Sequence, residues 1–273
     1  NLSGGVFNDN TSTTSLSLLG ASATAQFDNA GSFNKTGSST TTLSSPFTHS
    51  GIMDIDSGTL QNQATLLMTA GTITGDGALL IPDQQIFNWE GGVINGSGTF
   101  DSVSGAVVNI NGTSVTLAEN RIWNNTGIIN WNGDGSFNDT LGLSDDSQLN
   151  NLLGGVFNDN TVTTNFAQIG LGTTAQFNNM GTFNKSGDAI TSSIVPLNQS
   201  GTMNINAGVF ELNAANASSG EFNIAGGSQL SFNGATLLGH PNNIKGAGGV
   251  LFGTSVSFDG VQNAQPNQAE TFV

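Results

Sequence analysis

Twelve of the 17 phenylalanines in this chain are followed directly by Asn or Asp, from Phe7-Asn8 to Phe258-Asp259. A large apolar residue beside a turn-forming amide, recurring along 273 residues, is one structural unit used many times. Two periods organise it. The long one is 150 residues: NLSGGVFNDN at 1–10 returns at 151–160 with nine of ten residues identical, and 21–37 returns at 171–187 with ten of 17 identical. The chain therefore divides into a first copy, 1–150, and a truncated second copy, 151–273. The short period is close to 20, marked by Gly31, Gly51, Gly71 and Gly92, then by Gly181, Gly201 and Gly220.

Each glycine opens a run of three to six residues that alternates apolar with small polar side chains and ends at Gly, Asn, Asp or Ser. No window carries an apolar stripe at helical spacing for three turns. The pattern predicts an all-β single-stranded parallel β-helix (β-solenoid), about 20 residues per coil, with little or no helix, running as one body over 1–273. Coils stacked at about 4.8 Å would place Phe, Ile, Leu and Val inside and Asn at the corners, giving about 13–14 coils in a rod of roughly 65 Å. Open coil edges invite end-to-end self-association unless residues 1–5 or 261–273 fold over as caps.

Only 8% of the residues are charged and the net charge is −15. With Lys35, Arg121, Lys185 and Lys245 as the whole basic complement, nucleic acid and anionic membranes are poor partners. No apolar run is long enough for a helical membrane span. The absence of cysteine removes disulfides and thiolate metal sites.

GGVFNDN, FNNMGTFNKSG, GTMNINAG and GIINWNG resemble the Gly/Asn/Thr-rich β-helical repeats of large secreted bacterial surface proteins, the filamentous-haemagglutinin-like adhesins among them. The resemblance covers nearly the whole chain. It implies a right-handed helix, a secreted or cell-surface bacterial setting, and modules that bind glycan or degrade it.

Catalysis is weakly supported. β-Helical pectin hydrolases combine clustered carboxylates with GHG and Arg-x-Lys segments, whereas here His240 lies in GHP and Arg-x-Lys is missing. Asp145-Asp146 is a paired carboxylate, and Arg121 has no acidic cluster beside it in sequence. His49 corresponds to Gln199, so it reads as a solvated loop residue, as does His240. Asp54 and Asp56 resemble the start of a Ca²⁺ loop, but their counterparts are Asn204 and Asn206, so no cofactor is expected beyond this weak Ca²⁺ alternative. Asp76 and Asp134 read as turn formers. The Thr-rich runs at 11–15 and 38–45 lack the repeating site that ice binding needs.

Tryptophan is the sharpest functional pointer. Trp89, Trp123 and Trp131 cluster in the middle of the chain, and Trp89 and Trp131 are separated by about two coils of sequence. On an outer face they would form a stacking ladder for alternate sugars, with Asn88, Asn124, Asn130 and Asn132 binding hydroxyls. In the recurring apolar-Asn-X triplet, X is Trp89, Trp131, Ile55, Ile205 and Ile224, which look inward, but also Lys35 and Lys185, which look outward. The triplets leave core packing open beside exposed binding. The reading is a non-catalytic extracellular module that binds a polysaccharide or host-surface glycan along an exposed face. A purely structural spacer is the alternative, and a polysaccharide lyase or glycoside hydrolase the third.

Overall fold

A computed structural model describes residues 1–12, 16–18, 25–135, 138–162, 166–172, 174–239, 244–253 and 256–258. His240 and the C-terminal segment considered as a cap lie outside the described residues. Among the described residues every element is a strand. The strands run from β1 (Val6–Asp9), β2 (Leu16–Leu18), β3 (Phe27–Asn29) and β4 (Ser32–Lys35) to β35 (Val256–Phe258). Strand n pairs in parallel with strand n+3, so the chain winds through three sheets of 12, 12 and 11 strands. The first sheet starts with β1, the second with β2 and the third with β3. The protein is a β-solenoid.

Coil length is uneven. Phe33 pairs with Met53 and Met53 with Ile73, both at the short glycine period. Leu141 pairs with Ile169, a distinctly longer step. The outward amides show the same spread, since Asn184 and Asn204 are 20 apart in sequence and Asn130 and Asn158 are 28 apart. Corners enlarged in this way are why the sheets hold fewer rungs than the 13–14 expected from a uniform coil.

The alternation of burial is regular. In β12 (Ile86–Trp89), Phe87 and Trp89 face the core and Asn88 faces out; β24 (Thr182–Lys185) repeats this with Phe183 and Lys185 inside and Asn184 outside. The Asn that follows Phe therefore sits in mid-strand on the outer surface, not at a corner. Corner amides come one residue later, as with Asn29, Asn125, Asn151 and Asn179, all fully buried. Lys35 and Lys185, expected outside, are also buried. Position X is inward throughout, because side chains at i and i+2 of a strand share one face. Rings stack from coil to coil, Phe7 on Phe33 and Phe157 on Phe183, each pair with centroids 5.1 Å apart.

The short glycine period has a steric cause. At one corner Gly31, Gly51, Gly71 and Gly92 stack so closely that a Cβ on Gly51 would lie 2.1 Å from Gly31 O, and one on Gly71 2.1 Å from Gly51 O. In the second copy a Cβ on Gly201 would lie 2.1 Å from Gly181 O. Gly201→Ala must push a backbone oxygen away, so it is expected to destabilise the rod by about 1–3 kcal/mol in chemical denaturation. Wild-type stability in that variant would show that the corner relaxes freely.

The two copies do not lie on the same sides of the rod. β1 and its repeat β21 (Val156–Asp159) are separated by twenty strands, and twenty is not a multiple of three. β1 is in the first sheet and β21 in the third. Likewise β3 is in the third sheet, and its repeat β23 (Gln176–Asn179) is in the second. The repeat thus advances by six and two-thirds turns, and its second copy is displaced by one face. The sheets pass through the junction at 150 without a break, since β20 (Gln148–Asn151) spans it and pairs on both sides.

Residues 1–5 form a corner of the first coil and not a cap. Gly5 O accepts from Ser32 N and Asn1 O from Ala30 N. Phe7 is left half-buried and Val6 exposed.

Candidate functional site

All three tryptophans lie inside the rod, fully buried. Trp89, Ile110 and Trp131 are in register on successive strands of the third sheet, so the two-coil spacing is as expected but the column faces inward. Trp123 stacks on Phe100 at 4.6 Å, and its Nε1 donates to Ser102 Oγ at 3.0 Å. Trp89 Nε1 donates to Gly91 O at 3.2 Å. Indoles with no exposed face cannot stack on sugars, so the expected ladder of rings is replaced by a core. The residue type at position X decides this: a large ring gains roughly 3 kcal/mol or more from full burial, and the tilted and stacked ring pairs add to it.

The expected polar partners do lie outside. Asn88 and Asn130 belong to a seven-rung ladder on the third sheet, Asn88–Asn109–Asn130–Asn158–Asn184–Asn204–Asn223. Each Nδ2 donates to the Oδ1 of the preceding rung at 2.8–3.0 Å. Asn132 bonds Asn111 and Asn160 at the neighbouring edge. Asn124 belongs to a second ladder, Asp101–Asn124–Asn150–Asn178–Asn198, on the second sheet, joined at 2.7–3.0 Å. An amide used once as donor and once as acceptor in such a ladder keeps one N–H and one lone pair for an outside partner.

The second ladder runs beside a groove. A depression of roughly 540 Å³ is lined by Leu80, Asp101, Val103, Asn124, Thr126 and Leu152. Leu152 also borders a second one of roughly 540 Å³, lined by Asn150, Asn178, Met180, Asn198, Ala217 and Leu237. A third, of roughly 430 Å³, adjoins it at the corner through Met180, Ser200 and Ser219. The result is a shallow strip along the rod with an amide ladder and exposed apolar side chains, Met180 and Leu237 among them. Sequence reading found Asn124 but missed its ladder. The signal available was the recurrence of Asn at outward positions of Leu149-Asn150, Phe177-Asn178 and Leu197-Asn198.

The other candidates are built into the scaffold. Arg121 is fully buried at a corner. Its guanidinium donates to Asn95 O at 2.9 Å, Gly75 O at 2.9 Å, and Gly77 O and Thr99 O each at 3.1 Å. Burial pushes its pKa down to about 10, with Asp76 and Asp101 opposing, so it remains a cation at neutral pH.

His49 is fully buried, not solvated. Its Nδ1 faces Asn29 Nδ2 at 3.2 Å and its Nε2 faces Thr72 O at 3.1 Å. Gln199 reproduces both contacts, accepting from Asn179 Nδ2 at 2.6 Å and donating to Glu221 O at 3.3 Å. Burial lowers the His49 pKa from its ordinary 6.5, while the Thr72 carbonyl opposes the shift. The unfolded chain therefore takes up this proton first. The stability that depends on neutral His49 is complete above pH 6.5 and declines as pH falls toward the lower folded value. His49→Gln is expected to keep neutral-pH stability and flatten the decline below pH 6.5, read from denaturation midpoints across pH. An unchanged pH profile would refute the assignment.

Asp54 is half-buried and Asp56 exposed. Burial raises the Asp54 pKa, and Asp56 and Asp76 add to it. Among the described residues no group of three or more His, Asp or Glu side chains could hold a metal ion. Asp145 and Asp146 sit on an exposed turn with φ of 50° and 62°. No helix of the described residues is long and apolar enough to cross a membrane.

Fold and surface together define a β-solenoid with amide-lined outer faces. A scan against protein-family models gives no match, nor do searches of the curated proteins and of the solved structures.

Proposed function

We propose that the chain is a non-catalytic, extracellular module of a bacterial surface protein that binds an extended polysaccharide along the groove of the second sheet. The observation that carries this reading is one continuous outer strip that combines unspent amide donors and acceptors with exposed apolar side chains. Sugars present this same pair of surfaces, hydroxyl edges and C–H faces. The rung spacing of about 4.8 Å is close to the length of one extended sugar residue, so successive residues meet successive rungs. Parallel weak contacts on a preformed face lose little entropy on binding and accumulate along the chain. A net charge of −15 favours neutral over acidic glycans.

Affinity electrophoresis in gels containing neutral polysaccharides, with retention on insoluble ones, tests it. Wild type should be retarded, and Asn178→Ala together with Met180→Asp should weaken retention about tenfold, a change of about 1.4 kcal/mol, with the fold retained. Both substitutions are on the outer face, so the core is untouched. Should no polysaccharide retain the wild type, the rigid spacer reading takes over. It rests on a separate observation, that the Trp rings, Arg121 and His49 are all spent inside the scaffold.

A further inference from the structure

One corner, where the third sheet turns into the first, holds buried chemistry that glycan binding does not use. Three successive coils contribute to it. In the first, Asp139 on β19 (Asn138–Leu143) is fully buried, and its Oδ1 accepts from Asp134 N at 3.2 Å. In the next, Asp159 closes β21, and in the one after, Lys185 closes β24 in register with it. Lys185 Nζ lies 3.8 Å from Asp159 Oδ2, with both side chains wholly excluded from solvent. Thr191 Oγ1 donates to Asp159 Oδ2 at 2.6 Å and Thr161 Oγ1 to Oδ1 at 2.7 Å, while Nζ donates to Gly187 O. Trp131, in register directly before Asp159, leaves its Nε1 unpartnered.

A buried amine–carboxyl pair can remain ionic or pass its proton across to become neutral amine and carboxylic acid. Burial acts on both partners in the second direction, raising the Asp159 pKa against Lys185 and the Thr191 and Thr161 hydrogen bonds, and lowering that of Lys185 against Asp159 and Asp188. Asp139 is raised too, by burial first, then by the charge of Asp134, a side-chain hydrogen bond with it and the charge of Asp159, against the Asp134 backbone N–H, so it is suited to hold a proton. A neutral amine held against a carboxylic acid in a buried corner, with a second buried acid whose charge acts on Asp159, is arranged for condensation.

We propose that Lys185 and Asp159 become joined by an intramolecular amide bond, with Asp139 as the acid–base catalyst. The Nζ lone pair attacks Asp159 Cγ while Asp139 protonates the carbonyl oxygen. The tetrahedral adduct loses one N–H proton to the Asp139 carboxylate. Asp139 then protonates one hydroxyl, the C–O bond breaks and that oxygen leaves as water, and the proton of the other hydroxyl returns to Asp139, which ends in its starting state. One amide and one water form from one acid and one amine, with no oxidant and no activating group. The bond staples one coil to the next.

The chain carries its own control. Asp9 and Lys35 stand in register at the equivalent positions, both buried and with Thr41 and Thr11 on the carboxylate, but they are not within ion-pair distance. Lys35 is the one charged group that acts on Asp9, and among the described residues no third carboxyl stands beside it. This pair is expected to stay unlinked.

Intact-mass spectrometry of the purified chain decides the bond without any variant. The expected mass is lower than that of the sequence by one water. Tryptic digestion should leave residues 122–245 as one peptide, one water short and closed into an internal loop from Asp159 to Lys185, with no cleavage after Lys185 and ordinary cleavage after Lys35. Asp139→Asn should restore the full sequence mass and cleavage after Lys185, with Asp139→Ala as the second variant if the first misfolds. A wild-type mass equal to the sequence, with a linear peptide ending at Lys185, would overturn the proposal. A linked Asp139 variant would remove the catalyst from it.

Discussion

Arg121→Met is expected to lower the unfolding free energy by about 3–5 kcal/mol, among the largest single-residue effects in the rod. Four corner carbonyls from two successive coils, those of Gly75, Gly77, Asn95 and Thr99, end on one guanidinium, and Gly75 O has a second donor in Gly98 N. An unsatisfied buried carbonyl costs about 1–3 kcal/mol. Water entering the corner would recover part of that for four groups, which is why the sum stays well below the product. Arg121→Lys should fall between, because an ammonium has three donors where the guanidinium has five in a planar fork. Denaturant midpoints at constant slope measure both variants. Hydrogen exchange should show the loss concentrated at amides of the adjoining coils, since a solenoid is stabilised by nearest-neighbour contacts. A change below about 1 kcal/mol in Arg121→Met would mean that the corner carbonyls are already served by solvent.

Trp123→Ala is expected to cost about 3–5 kcal/mol through the cavity it leaves. The indole stacks on Phe100 and tilts against Trp89 at 6.2 Å. Its Nε1 also heads a chain of buried hydrogen bonds. Ser102 Oγ, which accepts from it, donates to Asn125 Oδ1; the line continues through Asn151 and Asn179 to Gln199. Truncation therefore opens a void and removes the head of a polar ladder in the same step. The comparison that matters is with retention on polysaccharide. If Trp123→Ala kept wild-type stability and lost glycan binding, the indole would be a surface ligand after all. The buried placement requires the reverse, a weakened fold, and unaltered retention at temperatures where the variant is folded.

Much of this architecture could be read from residues. The even spacing of Gly31, Gly51 and Gly71 announced the coil length because stacked corners have no room for a Cβ. Phe beside Asn announced inside next to outside because a strand alternates faces. What misled was charge. Side-chain type alone places Lys35 and Lys185 outward, and that one inference leaves the side of the tryptophans open. The partner that permits a buried lysine, Asp159 for Lys185, sits a full coil away in sequence and is adjacent only after the coil closes. His49 misled for a related reason. Its match to Gln199 was visible, but that both serve the same buried amide and carbonyl depends on Asn29 and Thr72 arriving from neighbouring coils. The groove was legible only in part, since Asn124 looks like any other outward amide until Leu152, Met180 and Leu237 line up beside its ladder.

The sequence by itself determined that this chain is a solenoid and that its Phe, Ile, Leu and Val line the interior. Both follow from local rules, the two-residue alternation of a strand and the tendency of like residues to stack when a coil repeats. Only the tertiary structure decided where each copy of the long repeat faces. Twenty strands wound on three sheets make six and two-thirds turns, so the second copy continues on the adjacent face, and its glycine and amide columns take up a different corner from those of the first. That phase is the sum of every corner's length, from the short step between Phe33 and Met53 to the long one between Leu141 and Ile169. No local pattern contains such a sum.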